Sequence, residues 1–528
     1  MTNNEVLEYI TKSFDLKRQG FYKPAIEMLY KALSIENNNV EILSQLGELY
    51  YLLENNQRAI NYIEKTLEID PLHIDCLKLM KTIYMAEEKY DEALKAVNKI
   101  YEINPTTENL LDKIVVLNKL NDFEAIKEIE NLNVDFDDAI YYNLAQAHYK
   151  NQDFKRAIEL LEKALERNPE NKDAMILLGE VYFSENDLEK SRELFKKLEN
   201  ETENAVVNSY LGLFKMDDGK YEDAINYFHK AMKLDERNSK YVYNLANAYF
   251  LNGWIAEAAK FYNIAICLDA DNVDYRYSLA YLYTQTREYD KAEKELRTIF
   301  EKDSNHLQAR ILSAKIKDLK GDPVSAKVTL DAIVKENPNE DYAFVELAHV
   351  CVELSQYDLA KKNMEIALEI KPNSLNYLSD YADILIEMAN YGEAHEVIEK
   401  ILSLNENFIE GYILEAKNYI HINDLEGAYD AAQKVIELDT NNAEGYYYNA
   451  LVLFAQGDVN FAIETMKKAI SLDLNNAMYY VQMSEFYQKL GKYEDALAYV
   501  SEAASIDGSA KNKELYANLA SIVRKSRG

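Results

Sequence analysis

The sequence predicts an all-α fold, an α-solenoid of antiparallel helix pairs, and three observations carry that reading. Glycine and proline are scarce, 15 and 7 in 528 residues, while helix-favouring Ala, Leu, Glu and Lys are plentiful. A small residue recurs at a nearly constant interval along almost the whole chain. The prolines fall only where such helices begin or end. The length would suit three or four ordinary domains, but flexible linkers would bring more Gly and Pro than this. Hydrophobic residues, at 48%, are enough for a large core and exclude wholesale disorder.

In chain order, the recurring small residue is Ala25, Ala59, Ala93, Ala125, Ala157, Ser191, Ala224, Ala258, Ala292, Ala326, Ala360, Ala394, Ala428, Ala462 and Ala496. Most steps are 34 residues, one is 33, and the two that end at Ala125 and Ala157 are 32. Twelve residues before each lies a second small position: Ser13, Gly47, Ala145, Gly179, Gly212, Ala246, Ala280, Ala314, Ala348, Ala382, Ala416, Ala450 and Ser484. Repeats three and four put Lys81 and Lys113 there instead. Each repeat therefore holds two helices, and the small residues mark where the two must approach closely. Pro71, Pro105, Pro169, Pro338 and Pro372 each follow the Ala by twelve residues, at the end of the second helix. Pro24 and Pro323 sit just inside the start of one, where no backbone donor is lost.

The predicted organisation is a lead-in over 1–5, fifteen tandem repeats over 6–510 with an irregular stretch at 74–137, and a capping helix over 511–528. In that last segment Leu515, Leu519, Ile522 and Val523 form an apolar face, with Lys511, Lys513, Arg524, Lys525 and Arg527 around it. A solenoid's end needs such a polar-backed cover.

The charge balance narrows the partners. A net charge of −32 disfavours nucleic-acid phosphates and anionic membrane surfaces. No apolar run reaches the ~18 residues of a membrane span, and the opening MTNNEVLEYI has no leader pattern. Cys76, Cys267 and Cys351 are far apart, which fits a reducing, cytoplasmic setting and neither a disulfide framework nor a cysteine zinc site. No phosphate-binding glycine loop, nucleophile elbow or HExxH motif is present. The seven His are scattered; His148 stands at a packing position, and His349 with Glu353 has the spacing of an ordinary helix-surface pair. No enzymatic activity, metal or cofactor is expected.

The full pattern resembles the tetratricopeptide repeat family. Repeat five carries it as Tyr141, Leu144, Ala145, Ala157, Leu161, Ala164 and Pro169. Repeat seven carries it as Leu211, Gly212, Ala224, Phe228 and Ala231, and repeat fifteen as Tyr480, Tyr487, Ala496, Val500 and Ala503. The resemblance implies a right-handed superhelix whose first helices line a concave groove through positions 2, 5, 9, 12 and 13 of each repeat. Those positions, with the neighbouring sixth, make Tyr142, Tyr149, Tyr243, Asn244, Asn247, Phe250, Tyr277 and Tyr281 the candidate peptide-binding residues, beside Asn143, Gln146 and Phe183. Aromatic faces cover apolar side chains, and amides can pair with a bound backbone. The competing reading is that these tyrosines pack between adjacent first helices. The family's carboxylate clamp is absent from every triplet of repeats, and no continuous Asn ladder runs through position 6.

The function implied is a non-enzymatic scaffold or adaptor that binds protein segments, with the acidic surface favouring basic-apolar ones. The alternative is a regulatory or substrate-targeting subunit of an enzyme complex, such as a glycosyltransferase system, with catalysis on another chain.

Overall fold

The computed structural model describes residues 2–132, 136–200 and 203–527, with side chains from 4 to 525 among them. The described residues hold 31 helices and no strand. The first thirty pack as consecutive pairs, one pair per repeat. The chain divides into two compact units, Met1–Ala270 and Asp271–Gly528. The first contains repeats one to eight; the second contains repeats nine to fifteen and the helix Ala510–Arg527.

Each pair is built from local rules. Asn side chains open many first helices: Asn39 accepts from the N–H groups of Glu41 and Ile42, and Asn171, Asn204, Asn272, Asn442 and Asn476 act in the same way. The turn between the two helices uses one residue in the left-handed region. Six of these are glycines; nine are not, and they include Glu54, Arg287 and Ala389, with φ between 54° and 63°. At Ala389 the turn closes with its N–H on the Ile386 carbonyl and the next N–H, of Asn390, on Leu385 at 2.8 Å. Those bonds hold a conformation that costs a non-glycine residue about 1–2 kcal/mol.

The packing rule inside a repeat is one of paired sizes. The small residue of the first helix faces the residue sixteen positions later on the second. A Cβ on Gly179 would stand 2.8 Å from the Phe195 ring, one on Gly212 2.7 Å from Phe228, and one on Gly47 3.0 Å from Ile63. In most other repeats the residue at this spacing is aliphatic, as with Leu161, Leu330, Met364 and Ile398, and Ala stands opposite; Tyr262, sixteen after Ala246, departs from the rule. All these second-helix residues are fully buried. Ser191, the one break in the alanine run, is equally buried, and its hydroxyl donates to the Gly179 carbonyl at 2.8 Å. A buried hydroxyl is thereby satisfied without changing the helix spacing.

Several details differ from expectation. The first helix runs from Thr2 to Arg18, so the segment read as a lead-in from residue 2 onward is its opening turn, while Met1 lies outside the described residues. The second helix of repeat four, Phe123–Glu130, has only eight residues, and 133–135 of the stretch read as irregular lie outside the described residues. Lys81 directs its ammonium to Asp112 at 2.6 Å, and Lys113 lies over the Tyr101 ring. His148 is more than a core filler: it is 3% exposed and bonds Glu130 at 2.8 Å and Asp153 at 2.9 Å, tying the short helix to repeat five. In the last helix Leu515 and Leu519 pack on Ala496 and Val500, and Val523 is buried, but Ile522 is exposed. Lys511, Lys513, Arg524 and Lys525 are exposed; the Arg527 side chain and Gly528 lie outside the described residues.

The turns and the paired sizes each generate a stability prediction. Gly179→Ala should overpack against Phe195 and cost about 1–3 kcal/mol in urea denaturation. Adding Phe195→Leu should recover part of that loss; no recovery would show that the two positions are not coupled. Ala389→Gly should instead stabilise, by about 0.5–1 kcal/mol, because it relieves a left-handed alanine.

Candidate functional site

On a helix, positions 2, 5, 9 and 12 lie on one side, so successive first helices can align these side chains across repeats. The sequence-predicted residues are distributed over both units. In the first, Tyr142 and Tyr149 share the helix Asp138–Lys150, and Tyr243, Asn244, Asn247 and Phe250 share Ser239–Leu251. In the second, Tyr277 and Tyr281 share Val273–Gln285.

None of the eight is exposed. Tyr142 packs on the core around Leu144 and Leu177, and the Tyr149 ring lies 6.0 Å from Phe154. Tyr243 lies 5.8 Å from the Tyr262 ring, and the Tyr262 hydroxyl donates to Asn247 at 2.6 Å. Asn244 is 7% exposed and its amide nitrogen has no hydrogen-bond partner among the described residues. Tyr277 stacks near His306, and Tyr281 packs beside it on the core around Ala280 and Leu312. Asn143 donates to the Ala139 carbonyl of its own helix. The tyrosines thus contribute to packing between elements while keeping part of each ring at the surface.

Sequence reasoning missed a set of charges on the same side of the second unit. Lys315 pairs with Glu346 at 2.6 Å, and His349 with Asp380 at 3.2 Å. Lys417 bridges Asp383 at 2.6 Å and Glu387 at 3.1 Å. The signal was present: Lys315 and Glu346, like His349 and Asp380, are a position 9 and the position 6 of the next repeat, 31 residues apart. His349 therefore turns to the next repeat's Asp380. Beside these pairs stand carboxylates with no ion pair among the described residues. Burial raises Glu410 above the ordinary carboxylate range, and Glu444, Asp383 and Asp380 reinforce it. Burial raises Glu444 likewise, with Asp383 adding to it, and Asp318 is raised by burial and by Glu353 and Glu346.

Among the described residues no group of three His, Cys, Asp or Glu could hold a metal ion. No described helix is long and apolar enough to cross a membrane. Burial pushes the Cys76 thiol up to about 11 and raises Cys351 too, which keeps both protonated and unreactive.

Helix pairs that repeat at this interval, with first helices presenting matched positions, define a helical-repeat protein. Tetratricopeptide repeat family models match residues 142–205, 215–265, 252–316 and 342–374. The model for anaphase-promoting complex, cyclosome, subunit 3 matches 18–100 and 421–503. The chain belongs to the tetratricopeptide repeat family, as a long array. The TPR repeat-containing protein MJ1428 of Methanocaldococcus jannaschii is 26% identical over 134 residues, which are 25% of this chain and 23% of that protein. The crystal structure of the APC/C hetero-tetramer Cut9-Hcn1 contains a chain of the same fold, with 14% identity, a TM-score of 0.50, and coverage of 91% of this chain and 96% of that one. The thermophilic TPR protein TTC0263 from Thermus thermophilus is 19% identical, with a TM-score of 0.33, over 34% of this chain and 98% of its own.

The charge row predicts a titration. Burial alone would lower His349, but its hydrogen bond to Asp380 and the charges of Asp380 and Glu346 raise it above the ordinary 6.5. Stability from this contact is then fully present below the unfolded value and is lost as pH rises through the folded one. NMR should place the His349 midpoint above 6.5 and show it fall in Asp380→Asn. A midpoint unmoved by Asp380→Asn would sink the pairing.

Proposed function

We propose that this chain is a non-enzymatic scaffold that binds protein segments along the side presented by its first helices. The observation that supports this most is charge. Asp318, Glu353, Glu410 and Glu444 lie at first-helix positions of the second unit with no ion pair among the described residues, and the charge of Lys417 is already engaged by Asp383 and Glu387. A cationic segment would supply the missing counter-charge and speed encounter. In the same unit the half-buried Tyr277 and Tyr281 offer ring area for its apolar residues; in the first unit Tyr142, Tyr149 and Tyr243, with the amides of Asn244 and Asn247, offer the same to a segment bound there. The favoured partner is a segment with Lys or Arg beside apolar anchors.

A second reading draws on the match to the cyclosome subunit 3 model at both ends of the array. That model describes a component of a larger assembly. On this reading the chain is a regulatory or targeting subunit, with catalysis on another polypeptide. Co-purification of a defined activity with a second chain would favour it over a free-standing adaptor.

The test of the binding face uses the full chain. Bound proteins are identified after affinity purification, and their segments are then titrated as peptides. Affinity should fall with added salt, and by about tenfold or more in the double variant Glu410→Gln, Glu444→Gln. A partner indifferent to salt and to both substitutions would overturn the assignment.

A further inference from the structure

One cavity of the first unit is basic, in a chain whose net charge is −32. It has a volume of about 360 Å³ and lies between repeats one and two. Its lining is Lys23 and Ile26 of the helix Tyr22–Leu33, Tyr50 of the helix Val40–Leu52, Leu53 and Asn55 of the turn that follows, and Arg58 of the helix Asn56–Ile69. No carboxylate belongs to that lining; Glu27 and Glu54, the nearest in sequence, are exposed and stand outside it. None of the six occupies position 2, 5, 9, 12 or 13 of its repeat, so the cavity is separate from the first-helix binding positions.

Neither cation of this cavity is neutralised, and one is held in place. Arg58, Arg156, Lys190 and Lys291 are the basic residues that directly precede the recurring small one. Arg156 is engaged by Glu130 and Glu159, Lys190 by Asp187, and Lys291 by Glu288. Arg58 has no ion pair among the described residues, and neither has Lys23. Arg58 instead donates to the Tyr50 hydroxyl at 3.3 Å and lies over the Tyr50 ring, 5.5 Å from its centre. Tyr50 is itself fixed: it is 6% exposed, stacks on Tyr62 at 5.6 Å, and its hydroxyl lies 2.7 Å from that of Tyr30. A phenol is neutral near pH 7, so the guanidinium keeps its full charge. Asn55 caps the helix Asn56–Ile69 by accepting from the Arg58 N–H, and the first turn of that helix holds no acidic residue. The positive end of the helix therefore adds to the two side chains.

We infer that this cavity binds a phosphate monoester, carried on a serine or threonine of a partner protein segment, through Lys23 and Arg58. Two cations match a dianion, and a planar guanidinium can donate to two oxygens of one phosphate. A carboxylate brings a single charge and would leave the second cation uncompensated. A metal ion would be repelled. Ile26 and Leu53 give the cavity an apolar wall for the residues beside the phosphorylated one, which a free phosphate would not use. The inference is independent of the cationic segments proposed for the first helices.

The experiment measures binding to the full chain of degenerate fluorescent peptide pools with phosphoserine, glutamate or serine fixed at the centre. A second arm measures retention of radiolabelled inorganic phosphate by equilibrium dialysis. The phosphoserine pool should bind about tenfold or more tightly than the serine pool, the size of a close charge pair. Lys23→Gln and Arg58→Gln should each reduce that advantage, and the double variant should erase it with the helical circular dichroism unchanged. Lys23 is exposed and unpaired, so Lys23→Gln decides even if Arg58→Gln disturbs Tyr50. An advantage that survives the double variant overturns the cavity as its source. A glutamate pool that binds as tightly as the phosphoserine pool overturns the phosphate assignment. Pools that do not differ overturn the protein-borne source. If inorganic phosphate is then retained by the parent chain and lost in the double variant, the cavity belongs to a free phosphate; if it is not retained, the anion site is overturned as well.

Discussion

Close approach of two helices within each repeat is the constraint on which the structure depends. Helix surfaces interlock only where a small residue on one admits a larger side chain of the other. Here the requirement is met by size matching at a fixed spacing of sixteen: Gly opposite Phe195 and Phe228, Ala opposite Leu161 or Met364. Within each unit, successive repeats place their first helices at the same step of the period, so matching positions recur from one repeat to the next.

This division explains what could be read from the chain alone. Helix pairs were legible because a small residue at one position is demanded by sterics, which act locally and leave a strict period, and because Pro, where it occurs, falls at helix ends. The left-handed turn residue was legible where it is Gly219 or Gly491 and hidden where it is Glu54, Arg287 or Ala389, since those residues have no preference for that conformation. The split into two units between Ala270 and Asp271 has no mark in composition or period at all. His148 looked like a filler because nothing near it in sequence reveals that Glu130, eighteen residues before, closes on its ring.

The candidate site was legible in part. Positions on the first helices could be assigned from the period, and Tyr142, Tyr243 and Tyr277 do lie where their rings are partly covered. Burial depends on which side chains neighbouring repeats bring, and the period does not report that. The pairings of Lys315 with Glu346 and of His349 with Asp380 are contacts between repeats, so each needs two register positions to be considered together. Charge composition announced an acidic molecule; only the placement of Lys417 between Asp383 and Glu387 distinguishes carboxylates already neutralised from those still open.

The two kinds of contact differ in what they allow an array to become. The size-matched pair, Gly179 with Phe195 or Gly212 with Phe228, lies wholly inside one repeat and travels with it when the segment is duplicated or exchanged. The ion pairs from Lys315 to Glu346 and from His349 to Asp380 span a junction, so they persist only if the following repeat is the right one. The size-matched contact is thus portable, whereas neighbour order is written in charge. An array assembled by copying its own modules keeps these inner contacts and acquires a fixed sequence of modules only as such junction pairs accumulate.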